Sequence, residues 1–364
     1  MSGIFDYLKW RGDIPMSQVP LCDADRLILS ELCYIDYYAD EPLPIDEFCK
    51  CALKKLSILR ENEIKNGVLH HAKDEKLLKE LIKTKRFSKL IIGNSEEKIN
   101  KNTQEQFAAV TVIMPSGDIA VIYRGTDWSV VGWKEDLNMA FSPELPAQRS
   151  AVSYLERIAS LYDGNISVFG HSKGGNLSVY AASMCSAEVQ QRITDVTSLD
   201  GPGFPESFLE SEGYKAVSPA ITTYMPRSSI VAAFFCASGS FSVIKSRGAG
   251  LLSHIAYNWE IMGGGFVSTK RDITTGHISA ALNKWIASLT AEERRQFINT
   301  IWSVVEKADA SELSDLFNGR NTMAILNGYR NLDSDSKRMV KDTLDKLREL
   351  GKDYLRDMFW QYKK

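Results

Sequence analysis

Three stretches of the chain differ in how their apolar residues are spaced. Up to about residue 100 the spacing is helical, as in Arg26-Leu-Ile-Leu-Ser-Glu-Leu-Cys-Tyr-Ile35 and Phe48-Cys-Lys-Cys-Ala-Leu-Lys-Lys-Leu-Ser-Ile-Leu59. Asp23 and Asp25 stand where an N-cap would open the first of these helices. Pro42-Leu-Pro44 interrupts the chain before the second, with Asp46 placed to cap it.

From Gln104 the apolar residues gather into short continuous runs. Phe107-Ala-Ala-Val-Thr-Val-Ile-Met114, the turn signal Pro115-Ser-Gly-Asp118 and Ile119-Ala-Val-Ile-Tyr123 predict two strands about a tight turn. An amphipathic helix over 147–162 then leads into the strand Ile166-Ser-Val-Phe169 and a small-residue helix over 174–184. Further strands are expected at Asp195-Val-Thr-Ser-Leu-Asp200 and Ala220-Ile-Thr-Thr-Tyr-Met-Pro226. The βαβ order predicts an α/β fold with a mostly parallel central sheet flanked by helices.

After Leu289 the pattern is helical again. Thr290-Ala-Glu-Glu293 forms a capping box, and charged amphipathic stretches follow around 323–329 and 339–359 without a sustained heptad. The expected organisation is a helical N-terminal layer over 1–100, an α/β core over 101–288 and a helical C-terminal extension over 289–364.

The junction after Phe169 carries the chemistry. In Gly170-His-Ser-Lys-Gly174 the serine sits between strand and helix with glycine two residues away on each side. This is the pattern of a nucleophile elbow, where a strained turn exposes Ser172 Oγ and only small neighbours leave room for strand and helix to approach. The amide of Lys173 and the helix N-terminus would then face a developing oxyanion. A second donor is expected from the loop Arg124-Gly-Thr-Asp127, with Thr126 as candidate, although Thr126 and Asp127 would serve equally to cap a following helix.

A serine nucleophile needs a base and an orienting acid. Asp200, at the end of a strand, is the candidate acid, and the next strand end, Arg227-Ser-Ser229, has no carboxylate. Of the histidines, His171 adjoins the serine and is expected to point away from the base position. His254 and His277 remain. His254 follows a Gly- and Ser-rich segment suited to carry it over the sheet edge and is favoured, while His277 opens a helical pattern.

Composition narrows the rest. Net charge is −2 and 25% of residues are charged, so no nucleic acid partner is indicated. Cysteines at 22, 33, 49, 51, 185 and 236 include no CxxC pair, and His70 and His71 lack ligand-spaced partners, so neither a metal nor a disulfide framework is expected. No secretory signal and no membrane span are visible, the uncharged run 228–244 being short and broken by Gly239, and the expected location is the cytoplasm.

Taken together, Tyr123-Arg-Gly-Thr-Asp127, Trp133, Asp136 and Gly-His-Ser-Lys-Gly-Gly resemble the lipase class 3 group of α/β-hydrolases. Ile4-Phe-Asp-Tyr-Leu-Lys-Trp-Arg-Gly-Asp13, Gly132-Trp-Lys-Glu-Asp-Leu-Asn-Met139 and Asp200-Gly-Pro-Gly-Phe204 are similar to bacterial lipase-like proteins associated with that group. The resemblance implies an α/β-hydrolase fold and a cofactor-free serine hydrolase. Ser172 would be the nucleophile, Thr126 would lie in the oxyanion hole, and the substrate would be a small-molecule or lipid ester. Fungal-type members place the acid one strand later and a histidine just before the final core helix, an arrangement that would select His277. The bacterial group points to His254. A binding module on the same fold, and a thioesterase or peptidase using the same triad, remain as other readings.

Overall fold

A computed structural model describes residues 3–35, 41–63, 71–100, 102–126, 134–136, 138–139, 142, 144–229, 231–232, 240–308 and 319–361. His70, Asp127, Trp133 and Cys236, singled out in the sequence, lie outside these residues. The chain forms two compact units.

The first unit comprises 1–98, 107–125 and 148–271. It is built on a sheet of eight strands in sequential order: β1 (Leu43–Pro44), β2 (Ile91–Asn100), β3 (Glu105–Ile113), β4 (Ile119–Tyr123), β5 (Ile166–His171), β6 (Ile193–Leu199), β7 (Ile221–Pro226) and β8 (Ser240–Ile244). β1 pairs antiparallel with β2, and β3 with β4; β4 through β8 are parallel. This is the mostly parallel, helix-flanked sheet of the α/β-hydrolase fold.

The central parallel strands β4 and β5 are buried along their whole length because both faces are covered. On one face Val110, Val112, Ala120, Ile122, Phe169 and Leu199 join Leu27, Ile28, Phe48 and Leu77 of the N-terminal helices in a single buried cluster. Side chains alternate along a strand, so Tyr123 points to the other face. There its ring meets that of Tyr154 at 6.1 Å, and its hydroxyl donates to the carbonyl of Ala151 at 2.7 Å, both residues on the helix Pro146–Leu161.

The N-terminal helices are Ile4–Arg11, Asp23–Leu32, Ile45–Glu63 and His71–Lys83. Two local expectations shift by a residue or so. Cys22, not Asp23 or Asp25, is the N-cap of Asp23–Leu32, because Asp25 reaches back to accept from the Cys22 amide at 3.0 Å. Asp46 falls inside the first turn of its helix, where it receives Lys50 Nζ at 2.7 Å. A larger difference is β2, a strand within residues whose periodicity reads as helical. Its second half, Glu96–Asn100, is polar apart from an exposed Ile99, so it carries no alternating apolar signal.

The N-terminal layer is pinned by a buried ion pair. Arg86 and Asp25, both side chains fully shielded from solvent, bond through Nε and Oδ1 at 3.0 Å and through a second, shorter contact. Tyr7 donates to the same carboxylate at 2.8 Å, and Arg86 also caps the carbonyls of Val19 and Pro20 at 2.8 and 2.9 Å.

The second unit comprises 99–106, 126–147 and 272–364. Its helices Ile273–Ala287, Ala291–Val305, Gly319–Arg330 and Ser334–Gln361 include the expected capping box, Glu293 N–H donating to Thr290 Oγ1 at 3.1 Å and Thr290 N–H to Glu293 Oε2 at 2.7 Å. Trp285 Nε1 donates to the Thr343 carbonyl at 2.8 Å. The buried carboxylate of Glu135 accepts from the amides of Gln106 and Ala147, each at 3.0 Å.

Candidate active site

Ser172 lies between β5 and the helix Lys173–Met184, with φ 60° and ψ −132°. A non-glycine residue in this region is strained, and the surroundings hold it there. Its amide donates to the Leu199 carbonyl at 2.9 Å, and its own carbonyl accepts from the Gly175 amide at 2.9 Å. A Cβ at Gly170 would lie 2.4 Å from the Tyr123 carbonyl oxygen, and one at Gly174 would lie 2.1 Å from the same atom. Strand, turn and helix meet too closely for any side chain there. The twelve-residue helix begins at Lys173, which is buried, so its positive end opens beside Ser172.

Gly125 closes in from β4. A Cβ on it would stand 2.8 Å from the Ser172 Cβ and 2.0 Å from the Tyr34 hydroxyl. The chain thus passes the serine at Gly125. Thr126 itself belongs to the second unit, where its hydroxyl donates to Asp136 Oδ2 at 2.5 Å.

Asp200 follows β6 and is fully buried with φ 55°. Its Oδ2 is 2.6 Å from His254 Nδ1. Burial pushes its carboxyl above the usual carboxylate range, opposed by His254, by the Ser229 hydroxyl and by the Ala232 amide. The carboxylate-free strand end therefore contributes Ser229, facing the acid that follows the preceding strand.

His254 ends a short helical turn, Leu251–His254. The carbonyl of the preceding Ser253 accepts from Trp259 Nε1 at 3.1 Å and from Ser246 Oγ at 2.9 Å. Ser172, Lys173, Asp200 and His254 all fall in the first unit, and Asp200 and His254 are in direct contact. His277 is in the second unit, in the first turn and a half of a helix whose N-cap Asp272 accepts from the Thr275 amide at 3.0 Å.

His171 does not point away from the base position. Its ring stacks on that of His254 with centroids 4.5 Å apart, and its Nε2 lies 2.9 Å from the His254 carbonyl oxygen. Strand alternation accounts for this: His171 shares a strand face with Phe169, the face that the N-terminal helices cover. Tyr34, just beyond one of those helices, places its hydroxyl 3.2 Å from His171 Nδ1. Burial, and secondarily His254, hold the His171 imidazole well below its usual pKa, so the ring is neutral. Tyr34 escapes sequence reasoning because it lies 137 residues from His171 and no local pattern marks it.

Among the described residues no group of three His, Cys, Asp or Glu is placed to hold a metal ion, and no helix is long and apolar enough to cross a membrane.

The sheet is that of an α/β-hydrolase fold, with Ser172 at the turn after β5 and Asp200 after β6. The profile of the Mbeg1-like family matches residues 81–303, and the chain belongs to that family. A comparison with curated proteins found no match. Among solved structures the chain is similar to the lipase–propeptide complex of Rhizomucor miehei, at 18% identity over 43% of this chain and 57% of that one, with a TM-score of 0.33. It is also similar to a triacylglycerol lipase from Penicillium expansum (15% identity, 50% and 82% covered, TM-score 0.31). A third is the Lip2 lipase of Yarrowia lipolytica (14%, 57% and 83%, TM-score 0.32). The chain thus spans less than two thirds of the Rhizomucor lipase.

Proposed function

We propose that the protein is a serine hydrolase that cleaves a carboxylic ester through an acyl-serine intermediate. The observation that carries this reading is the His254–Asp200 pair, 2.6 Å apart, whose imidazole stacks on the residue next to a strained Ser172. In the reading, His254 takes the proton of Ser172 Oγ as that oxygen bonds to the substrate carbonyl carbon. Asp200 accepts from Nδ1–H, which leaves Nε2 as the basic nitrogen and stabilises the imidazolium.

The negative oxygen is held by the amide of Lys173, aided by the helix N-terminus. Collapse expels the alcohol, which takes its proton from His254. Water, deprotonated by the same histidine, then releases the acid and restores Ser172. No cofactor enters this sequence.

The test is a fluorophosphonate probe. Stoichiometric labelling of the full chain, lost in Ser172→Ala with unchanged melting temperature, supports the reading. A wild-type chain that neither labels nor hydrolyses p-nitrophenyl butyrate is a binding module instead. Faster turnover of a thioester or an amide than of its matched ester would reassign the substrate class.

A further inference from the structure

His254 is held by its backbone. The Ser253 carbonyl is fixed by Trp259 Nε1 and Ser246 Oγ, and the His254 carbonyl faces His171 Nε2 at 2.9 Å. The first two anchors come from the same segment of chain as His254. The third comes from β5, one residue before the elbow serine.

A carbonyl only accepts, so the neutral His171 ring must carry its proton on Nε2, leaving Nδ1 to face the Tyr34 hydroxyl. The edge of Trp259 closes the His171 ring from another side, with centroids 5.9 Å apart at 76°. His171 Nδ1 also lies 3.8 Å from Glu31 Oε1, and on its other side the ring touches both the ring and the main chain of His254.

We propose that His171 is a positioning residue, whose Nε2–H bond to the His254 carbonyl and ring stack set the His254 imidazole against Asp200 and beside the serine that follows it in the chain. His171 transfers no proton. A charged ring stacked on His254 would oppose the imidazolium formed during acyl transfer, so its neutrality, secured by burial, belongs to the same function. The inference rests on the hydrolase reading for its catalytic consequence but not for its geometry.

Three full-length variants test it. His171→Leu removes donor and ring; His171→Phe keeps a ring and lacks the donor; His171→Gln restores an N–H near Nε2. One measurement needs no turnover: the His254 Nδ1–H proton, shared with Asp200, should give a strongly downfield proton NMR resonance that is lost in Asp200→Ala. We expect it in wild type and His171→Gln and expect it broadened away in His171→Leu and His171→Phe.

With p-nitrophenyl butyrate, His171→Leu should lose about 10–100-fold in kcat, with KM changed less than about twofold, since misplacing a catalytic group by about 1 Å costs that much. His171→Gln should recover most of the loss, a rescue that a merely packing role would not give. If His171→Leu fails to fold, His171→Phe carries the comparison. Absence of the resonance in wild type, its persistence in both donor-lacking variants, or equal loss in the Gln and donor-lacking variants overturns the proposal. If the resonance follows the donor while wild type neither labels nor turns over, positioning stands and the hydrolase reading fails. If Ser172 labels while the resonance is indifferent to residue 171, the hydrolase stands and the positioning role falls.

Discussion

Asp200→Asn separates the chemistry of this site from its stability. The carboxylate is fully buried, and its Oδ2 lies 2.6 Å from His254 Nδ1. When His254 becomes an imidazolium during acyl transfer, the centres of opposite charge stand roughly 4 Å apart. At an effective dielectric of about 20 their attraction is about 4 kcal/mol. Asparagine keeps the shape, forfeits this attraction and permits the imidazole to carry its proton on the wrong nitrogen. About 4 kcal/mol on the barrier corresponds to a loss of ~10³-fold in kcat.

The effect on stability has the opposite sense. Burial raises the folded-state pKa of Asp200, so its contribution is present at acid pH and lost as pH rises through the folded pKa. The amide variant has no such loss, and at pH 8 its melting temperature should equal or exceed that of wild type. The assay is steady-state hydrolysis of p-nitrophenyl butyrate at pH 8 beside a thermal melt in the same buffer. A loss in kcat below tenfold, or a large loss accompanied by a lowered melting temperature, would refute the reasoning.

Other outcomes follow from groups away from the serine. Arg86→Met strands a fully shielded Asp25 and should cost about 3–5 kcal/mol in urea unfolding, whereas the double replacement Asp25→Leu with Arg86→Met should regain much of it; equal losses would contradict the ion-pair account. Glu31, pushed up to about 8 chiefly by burial and then by Asp74, is stabilising when protonated, so wild-type stability should fall as pH rises from ~4.5 through 8, by up to ~1.4 kcal/mol per pH unit. Glu31→Gln should flatten that slope in melts at pH 5, 7 and 9, and an unchanged slope would exclude Glu31 as its source.

What the sequence discloses follows from the range of the forces involved. The elbow is legible because its demands are local: glycines at 170 and 174 are required by a backbone approach that occurs within a few residues and against the neighbouring strand. The central strands β4 and β5 are legible because burial on both faces leaves short, nearly unbroken apolar runs. β2 is hidden, since a strand with a solvated second half needs no apolar alternation. The pairing of Asp200 with His254 spans 54 residues and that of Tyr34 with His171 spans 137. Chain order and turn chemistry narrow such partners to a few but cannot choose among them, and the orientation of His171 depends on which sheet face the N-terminal helices cover.

That same cluster of N-terminal helices governs when the molecule can fold. Ile4, Leu27 and Phe48 share one buried cluster with Ile244, Trp259 and Ile261. During synthesis at ~5–20 residues per second, the first helices leave the ribosome roughly 10–40 s before the last of their partners. Through that interval their apolar faces have no native cover, and the long loop closures that complete the cluster must come late. The apolar faces that the finished protein buries at Ile4, Leu27 and Phe48 are therefore the surfaces that the nascent chain exposes longest.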